Sequence, residues 1–365
     1  MYASRGLASL NYMDIKQILD RKAVENKRGT LTTGEIKLLV KEIHNRWEES
    51  ELELGTRDRE MAAMQKKIER YNVAQLGDLP QDREDGTMRI LACQMGGCAS
   101  TETREIKIAA TERLIRKFNV NICLFMELNF NWSKVNSSAN LASWFQNKER
   151  DTRCITAHNI KENNILFRKH QPGGTGMLCR HEYLQYARNT STDPQGLGRW
   201  CSWLFYCNPT HVTRIVVAYR PCAGKTEGLK TVYQQHMQYI QTRGFNFNPI
   251  DLFDQDLSKQ VKEWQGRGEK IVLMMDLNDH PMRNKLYTKL KEHDMAEFTH
   301  KCWGHKEPYT HHSGKSPIDG GYKTPEVEII NLAMLNFAES PGDHRSLILD
   351  ISTRSQLGMY RYKIC

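Results

Sequence analysis

Five apolar residues in a row, Ile271-Val272-Leu273-Met274-Met275, run straight into Asp276-Leu277-Asn278, and segments of the same kind recur along the chain. Ile122-Cys123-Leu124-Phe125-Met126 leads into Glu127, Ser316-Pro317-Ile318 into Asp319-Gly320, and Pro341-Gly342-Asp343-His344-Arg345 opens the apolar run Ser346-Leu347-Ile348-Leu349. Bounded apolar runs of about 4–8 residues are strand length and too short for a buried helix. Each one sets acidic, amide or imidazole groups at or just beyond a strand end. A rigid sheet can aim several such side chains at one point, so four of these segments imply a fold built on sheets with one convergent polar site.

The remaining periodicity agrees. From Met88 onward, strand patterns at Arg89 to Gln94, Asn121 to Glu127, Arg153 to His158, Gly174 to Cys179, Trp200 to Cys207 and Val212 to Tyr219 are interrupted by few helices, one at Thr103 to Phe118. Two helical stretches follow, near Lys230 to Arg243 and Ile250 to Gln265, then strands at Lys270 to Asp276, Val327 to Ile330 and Ser346 to Ile351. Strands clustered in this way predict an α/β fold: a four-layer sandwich of two mostly antiparallel sheets flanked by helices. Residues 1–73 read as a helical N-terminal extension, in which Thr32 and Glu35 form a capping box ahead of Ile36, Leu39, Val40, Ile43 and Trp47 at helical spacing. Residues 74–87 read as a linker, 88–352 as the sandwich domain and 353–365 as a C-terminal tail. The stretch 11–73 is either a solvated arm or a surface for self-association or a protein partner.

Charge is unevenly placed. Lys and Arg number 52 against 43 Asp and Glu, but residues 1–88 hold 15 basic and 16 acidic groups. The whole excess, a net +10, therefore lies in residues 89–365, the part that contains the candidate site, as expected of a surface that meets a polyanion such as DNA. The 10 cysteines include no C-x-x-C pair and several lie within apolar runs, so they read as buried thiols of an intracellular protein, nuclear or cytoplasmic. Neither a membrane-spanning stretch nor a secretory signal is visible.

A phosphodiester resists attack because negative oxygens shield the phosphorus and an alkoxide must leave. Hydrolysis calls for a divalent cation, an activated water and hydrogen-bonding groups around the phosphate. Mg2+ takes oxygen ligands and keeps several waters, so one or two carboxylates hold it. Glu127 is the candidate principal ligand. Asp276 can accept the proton of an attacking water while Asn278 orients the water or a phosphate oxygen. An Asp319 that accepts a hydrogen bond from His344 would fix the tautomer of the ring and leave its other nitrogen for a phosphate oxygen.

In this order and at these spacings the four segments resemble the endonuclease/exonuclease/phosphatase superfamily over roughly residues 88 to 352. The resemblance is nearest to reverse-transcriptase-linked endonuclease domains of non-LTR retrotransposons, which carry runs similar to Gly196-Leu197-Gly198-Arg199-Trp200, Ala218-Tyr219-Arg220-Pro221-Cys222, Ser316-Pro317-Ile318-Asp319-Gly320 and Pro341-Gly342-Asp343-His344-Arg345. It implies a Mg2+-dependent endonuclease, Mn2+ being an alternative ion. Glu127 then corresponds to the metal-ligand Glu, Tyr219 to a phosphate-contacting Tyr, Asp276 and Asn278 to the acid and amide of the G-D-x-N signature, Asp319 and His344 to the Asp-His dyad, and Asp343 to an auxiliary metal or hydrogen-bonding acid. Arg220 is a further phosphate candidate by charge. Two positions depart from the pattern. Gln94 stands where the first strand usually ends in the metal-site Asn, and Met275 replaces the Gly before the signature Asp. Trp132, Lys134, Trp144, Tyr219 and Arg220 could line a nucleic-acid backbone face. The other readings are a phosphomonoesterase or phospholipase of the same fold, and an inactive nucleic-acid- or partner-binding module.

Overall fold

Alternation of apolar side chains about a shared interior generates the architecture. In the computed structural model, which describes residues 75–78, 83–136, 140–145, 151–161, 169–223, 231–303 and 307–358, the elements in chain order are β1 (Leu76–Gly77), β2 (Thr87–Gln94), α1 (Thr101–Lys117), β3 (Ile122–Met126), β4 (Thr152–Ala157), β5 (Thr175–Arg180), β6 (Ala187–Thr192), β7 (Trp200–Phe205), β8 (Thr213–Tyr219), α2 (Val232–Thr242), α3 (Pro249–Gly266), β9 (Lys270–Asp276), α4 (Lys285–Lys291), β10 (Ala296–Glu297), β11 (Asp319–Lys323), β12 (Ile329–Met334), β13 (Leu347–Ser352) and α5 (Thr353–Leu357). The helical extension expected over 1–73, its proposed partner role and the last residues of the tail lie outside the described residues.

One sheet has seven strands in the order β1-β12-β13-β2-β3-β5-β4, the other six in the order β10-β11-β9-β8-β7-β6. All neighbours are antiparallel except β2 with β3 and β8 with β9. A parallel pair needs a long crossover. Helix α1 supplies it in the first sheet, and α2 and α3 supply it in the second. The predicted sandwich of two mostly antiparallel sheets with helices outside is the observed fold.

Side-chain parity sorts the interior. Ile90, Ala92, Ile122, Leu124, Met177, Cys201, Val217, Val272, Met274 and Leu349 point between the sheets into one continuous core. Residues of the opposite parity face outward and are covered by helices. Leu91, Cys93, Cys123, Phe125 and Ile348 pack with Ile108, Leu114 and Ile115 of α1, while Val216, Ile271, Leu273 and Met275 pack with Phe253, Leu257, Val261 and Trp264 of α3. Helix α3 starts cleanly because Asn248 Oδ1 accepts from the Asp251 N–H and Pro249 fills the first turn, where its missing donor costs nothing. Among the described residues no helix is long and apolar enough to cross a membrane.

Several elements differ from the sequence expectation. Leu76–Gly77, within the stretch read as linker, pair with β12 as the edge of the seven-stranded sheet, and Thr353–Leu357, read as tail, form a helix whose Leu357 is buried in the core. The last-but-one strand lies over Ile329–Met334 rather than Val327 to Ile330. Strands β6 and β11 and helix α4 had no reading, since β6 is polar and half exposed and β11 opens Asp-Gly-Gly. Cys207 and Cys222 are exposed, whereas Cys93, Cys98, Cys123, Cys179, Cys201 and Cys302 are buried as expected; all nine described cysteines are free.

One charge pair spans the first sheet. Arg89 on β2 donates from Nε and Nη2 to the two carboxylate oxygens of Asp350 on β13, each at 2.7 Å, and from Nη1 to Phe118 O at 2.8 Å. Both side chains are almost wholly buried. Removing one partner leaves the other charge desolvated and unpaired. Asp350→Ala is therefore expected to cost about 3–5 kcal/mol, to be read as a fall in the urea midpoint; a midpoint within error of the parent would contradict it.

Candidate active site

The inter-sheet core turns polar at one end, where both parallel pairs finish. Gln94 ends β2 at the parity of Ile90 and Ala92, Tyr219 ends β8 at that of Ile215 and Val217, and Asp276 ends β9 at that of Val272 and Met274. Tyr219 and Asp276 are register partners, and Asp276 pairs in turn with Asp319, the first residue of β11. The strands that build the core thus aim these side chains into one pocket. Glu127, Asn129 and Asn278 reach it differently: each follows a strand with φ near +50° (51°, 48° and 51°), a conformation uncommon outside Gly. Left-handed backbone costs on the order of 1 kcal/mol at a non-Gly residue and persists where surrounding contacts dictate it.

The contacts are specific. His344 Nδ1 lies 2.7 Å from Asp319 Oδ2, both side chains being buried. Asp319 is placed by the Thr310 hydroxyl oxygen, which accepts from the backbone N–H groups of Ile318 (2.9 Å) and Asp319 (3.1 Å). Gln94 Nε2 donates both to Glu127 Oε2 at 2.8 Å and to Asp276 Oδ2 at 2.7 Å, and Gln94 Oε1 accepts from the Gly96 N–H at 3.2 Å. Asp276 Oδ1 accepts from the Asn278 N–H at 2.9 Å. Asn129 Nδ2 donates to Glu127 Oε1 at 3.1 Å while its Oδ1 accepts from the Gly173 N–H at 2.6 Å. The loop after Gln94 is anchored by buried Lys107, whose Nζ donates to the carbonyls of Met95, Gly96 and Gly97.

Crowded carboxylates set the electrostatics. Burial, then the like charge of Asp319, pushes the Asp276 carboxyl well above its ordinary range; burial also raises Glu127, against the hydrogen bond from Asn129 and with the charge of Asp343 adding to it. At His344 burial alone would lower the pKa, but the charge and hydrogen bond of Asp319, with Asp276 and Asp343 behind them, raise it to about 10. Asp343 goes the other way. Burial acts to raise it, and the hydrogen bond from His311 together with the charge of His344 outweighs that effect and holds it below the usual carboxylate range. Burial, followed by the charges of Glu127 and Asp276, pushes the Tyr219 phenol far up, and Tyr219 shares a side-chain hydrogen bond with Asn278.

A divalent cation fits this donor set. Asp276, Asp319 and His344 each offer a ligand atom within 4.8 Å of the others, and Asp319 Oδ1 is buried with no hydrogen-bond partner. The Gln94 amide donor stands between the Glu127 and Asp276 carboxylates, where positive charge is needed. Oxygen-rich, anionic and partly hydrated surroundings suit a hard ion.

The sequence-derived residues Gln94, Glu127, Tyr219, Asp276, Asn278, Asp319, Asp343 and His344 thus come together. Arg220 does not. Its guanidinium turns away into a bidentate pair with Asp254 of α3 (2.7 and 2.8 Å) and reaches Leu277 O and Asp279, so a phosphate contact is replaced by an anchoring one. Asn278 is likewise committed, its Nδ2 donating to Arg220 O at 2.7 Å. Trp132 and Trp144 pack on each other and on Phe130 (4.6–5.1 Å between ring centroids) against the outer core, and buried Tyr219 and Arg220 do not join them in one face; Lys134 is exposed. Met275 is absorbed in the α3 interface. Sequence reading missed Asn129, Lys107 and His311. A polar residue two positions after Glu127 was the only available signal, and it pointed to Asn129 alone.

Gly342 is the tightest joint in the site. A Cβ there would stand 2.1 Å from the Gln94 carbonyl oxygen, so only glycine lets the Asp343-His344 turn lie against the end of β2. Gly342→Ala is expected to cost about 1–3 kcal/mol through overpacking, measured as a lower denaturation midpoint; unchanged stability would argue against this close approach.

No family model matches the sequence, and no curated protein matches it either. Solved structures do. The chain is similar to an AP endonuclease from Leishmania major (9% identity, 73% of this chain and 88% of that one, TM-score 0.55) and to the human nocturnin catalytic domain with bound sulfate anion (12%, 79% and 98%, TM-score 0.52). It is also similar to the Xenopus laevis APE2 catalytic domain (10%, 73% and 92%, TM-score 0.50). With two mixed sheets flanked by helices and these neighbours, the chain has the fold of the endonuclease/exonuclease/phosphatase proteins.

Proposed function

We propose that this protein is a divalent-metal-dependent phosphodiesterase that nicks DNA, of the kind found in reverse-transcriptase-linked endonuclease domains. The observation that carries the reading is the convergence of the Asp319–His344 pair with Asp276, Glu127 and Gln94 at the polar end of the core. The net +10 of residues 89–365 supports a polyanionic substrate, because phosphate neutralisation supplies most non-specific affinity for DNA. The runs around Arg199, Tyr219, Asp319 and His344 support the retrotransposon kinship.

Glu127 and Gln94, with Asp319 or Asp343 beside them, would hold the ion, Mg2+ by its preference for oxygen. When bound it polarises a phosphoryl oxygen and offsets the charge that builds there. The chain's own residues do the rest. Asp276 is the base for the attacking water, held in one orientation by the Gln94 amide and the Asn278 N–H, and its raised affinity for a proton suits the task. His344, fixed through Nδ1 by Asp319, directs its other ring nitrogen at a non-bridging phosphate oxygen and donates a hydrogen bond to it. Tyr219 adds a second donor to the phosphate. Arg220 acts as a positioning residue, since its carbonyl holds Asn278 and its side chain fastens β8 to α3.

The test is nicking of supercoiled plasmid by the full chain with Mg2+ and with chelator. Activity is expected only with the metal, and Asp276→Ala, Asp319→Ala and His344→Ala are each expected to lower it at least about 100-fold with the fold intact. A His344→Ala variant that nicks at the parental rate would refute the role given to the dyad. Release of inorganic phosphate from a monoester without nicking would move the assignment to a phosphatase. DNA binding with no hydrolysis would leave a binding module.

A further inference from the structure

Thr310-His311-His312 is zipped against the dyad segment. His311 forms an isolated antiparallel bridge with His344, the His312 N–H donates to Asp343 O at 2.9 Å, and the Arg345 N–H donates to Thr310 O at 2.8 Å. The His311 and His344 rings meet edge to face with centroids 4.8 Å apart, and His311 Nε2 stands 3.5 Å from Asp343 Oδ2. His311, Asp343 and His344 each present a ligand atom within 4.8 Å of the other two. We infer that these three residues form a site for a borderline transition-metal ion, best fitted by Zn2+, at the rim of the catalytic pocket.

Donor chemistry separates this site from the oxygen-lined one. Two imidazoles and one carboxylate are a zinc-type set, whereas Mg2+ takes oxygen and binds imidazole poorly. Zinc bonds of about 2.0–2.2 Å in a tetrahedron put ligand atoms about 3.3–3.6 Å apart, and the 3.5 Å between His311 and Asp343 already matches. His344 is prepared for the part, because a carboxylate on Nδ1 is the partner that orients a metal-binding histidine and sends Nε2 outward. His311 and Asp343 are both partly exposed, at 26% and 36% for their side chains, which leaves the fourth position open to water or to a phosphate oxygen. One contact must yield. The Ser313 N–H points at His311 Nδ1 from 3.2 Å, and a ring that binds metal through Nε2 carries its proton on Nδ1, so this single hydrogen bond at an exposed turn is given up.

An ion here occupies the His344 nitrogen that the proposed reaction turns toward phosphate. Zinc is therefore an inhibitor of the Mg2+-supported reaction, a consequence that rests on the catalytic reading, whereas the site itself does not.

Zinc affinity of the full chain, measured by competition with a chromophoric chelator and without substrate, tests the site in the parent, in His311→Phe, which keeps a ring against His344, and in His311→Gln, which keeps a polar side chain. Loss of an outer partner of a metal histidine already weakens binding about 10–100-fold, so loss of a ligand is expected to weaken the tightest zinc site at least about tenfold in both variants. In Mg2+ assays, with each protein referred to its own activity without zinc, His311→Phe is expected to need correspondingly more zinc for half-inhibition. Circular dichroism and the thermal midpoint report whether each variant is folded. Parental zinc affinity in either folded variant overturns the proposal, and so does zinc displaced by Mg2+ at equal concentration. Zinc binding lost in both variants of a protein that hydrolyses nothing upholds the site and overturns the catalytic reading instead.

Discussion

Two sheets share one apolar interior, and a strand can place only every second side chain in it. That constraint governs both core and site. Along β2, β8 and β9 the central inward positions are apolar (Ile90 and Ala92, Ile215 and Val217, Val272 and Met274), and the last become Gln94, Tyr219 and Asp276. Register then does the positioning: Asp276 is level with Tyr219 on one side and with Asp319 on the other. A slip of one residue in β9 would turn Asp276 toward α3 and Met275 into the pocket. The pocket therefore needs no separate scaffold, and its geometry is as rigid as the pairing of the central strands.

Concentrating carboxylates in that place works against folding. Glu127, Asp276 and Asp319 lie within mutual electrostatic reach, and burial together with like charge raises the proton affinity of Asp276. The structure meets this with donors. Gln94 bridges Glu127 and Asp276, Asn129 braces Glu127, and His344 answers Asp319. Gln94 matters here because a shorter Asn at the end of β2 would carry its amide one methylene less far. The longer side chain lets a single amide meet both carboxylates.

Much of this was legible beforehand because it follows from short-range pattern. Apolar runs ending in Glu127 and in Asp276 located two strand ends, whereas Asp319, expected to close a strand, opens β11 instead; the order of segments pointed to Asp319 with His344 across 25 residues. What stayed hidden depends on long-range packing. Arg220 looked like a phosphate ligand from its neighbour Tyr219, yet Asp254 on α3, remote in sequence, captures it. His311 carries no local mark, and only its pairing with the 343–345 segment brings it to His344. Lys107 sits on a helix where lysine is ordinarily solvated, and three loop carbonyls draw it in. Strand β11 escaped because its Gly320-Gly321 pair reads as a turn. In place, a Cβ on Gly321 would stand 2.8 Å from Met274 Sδ and nearer still to the Phe298 ring, so the strand is glycine for lack of room.

The short edge strand β1 carries a consequence for handling the protein. Leu76 packs on the inner core, the Asp78 carboxylate accepts from the Leu332 N–H at 2.9 Å, and Arg83 donates to Thr87 O, Asn121 Oδ1 and Tyr183 Oη. A chain cut at residue 88, where the sequence pattern alone would place the domain start, loses the Arg83 contacts to Asn121 and Tyr183, strips β1 and Asp78 from β12 and bares the backbone donors and acceptors of its outer edge. Unprotected edges recruit other strands. Poor solubility or self-association of such a fragment would then reflect where it was cut, and a fragment starting before Gln75 is the one that keeps the sheet closed.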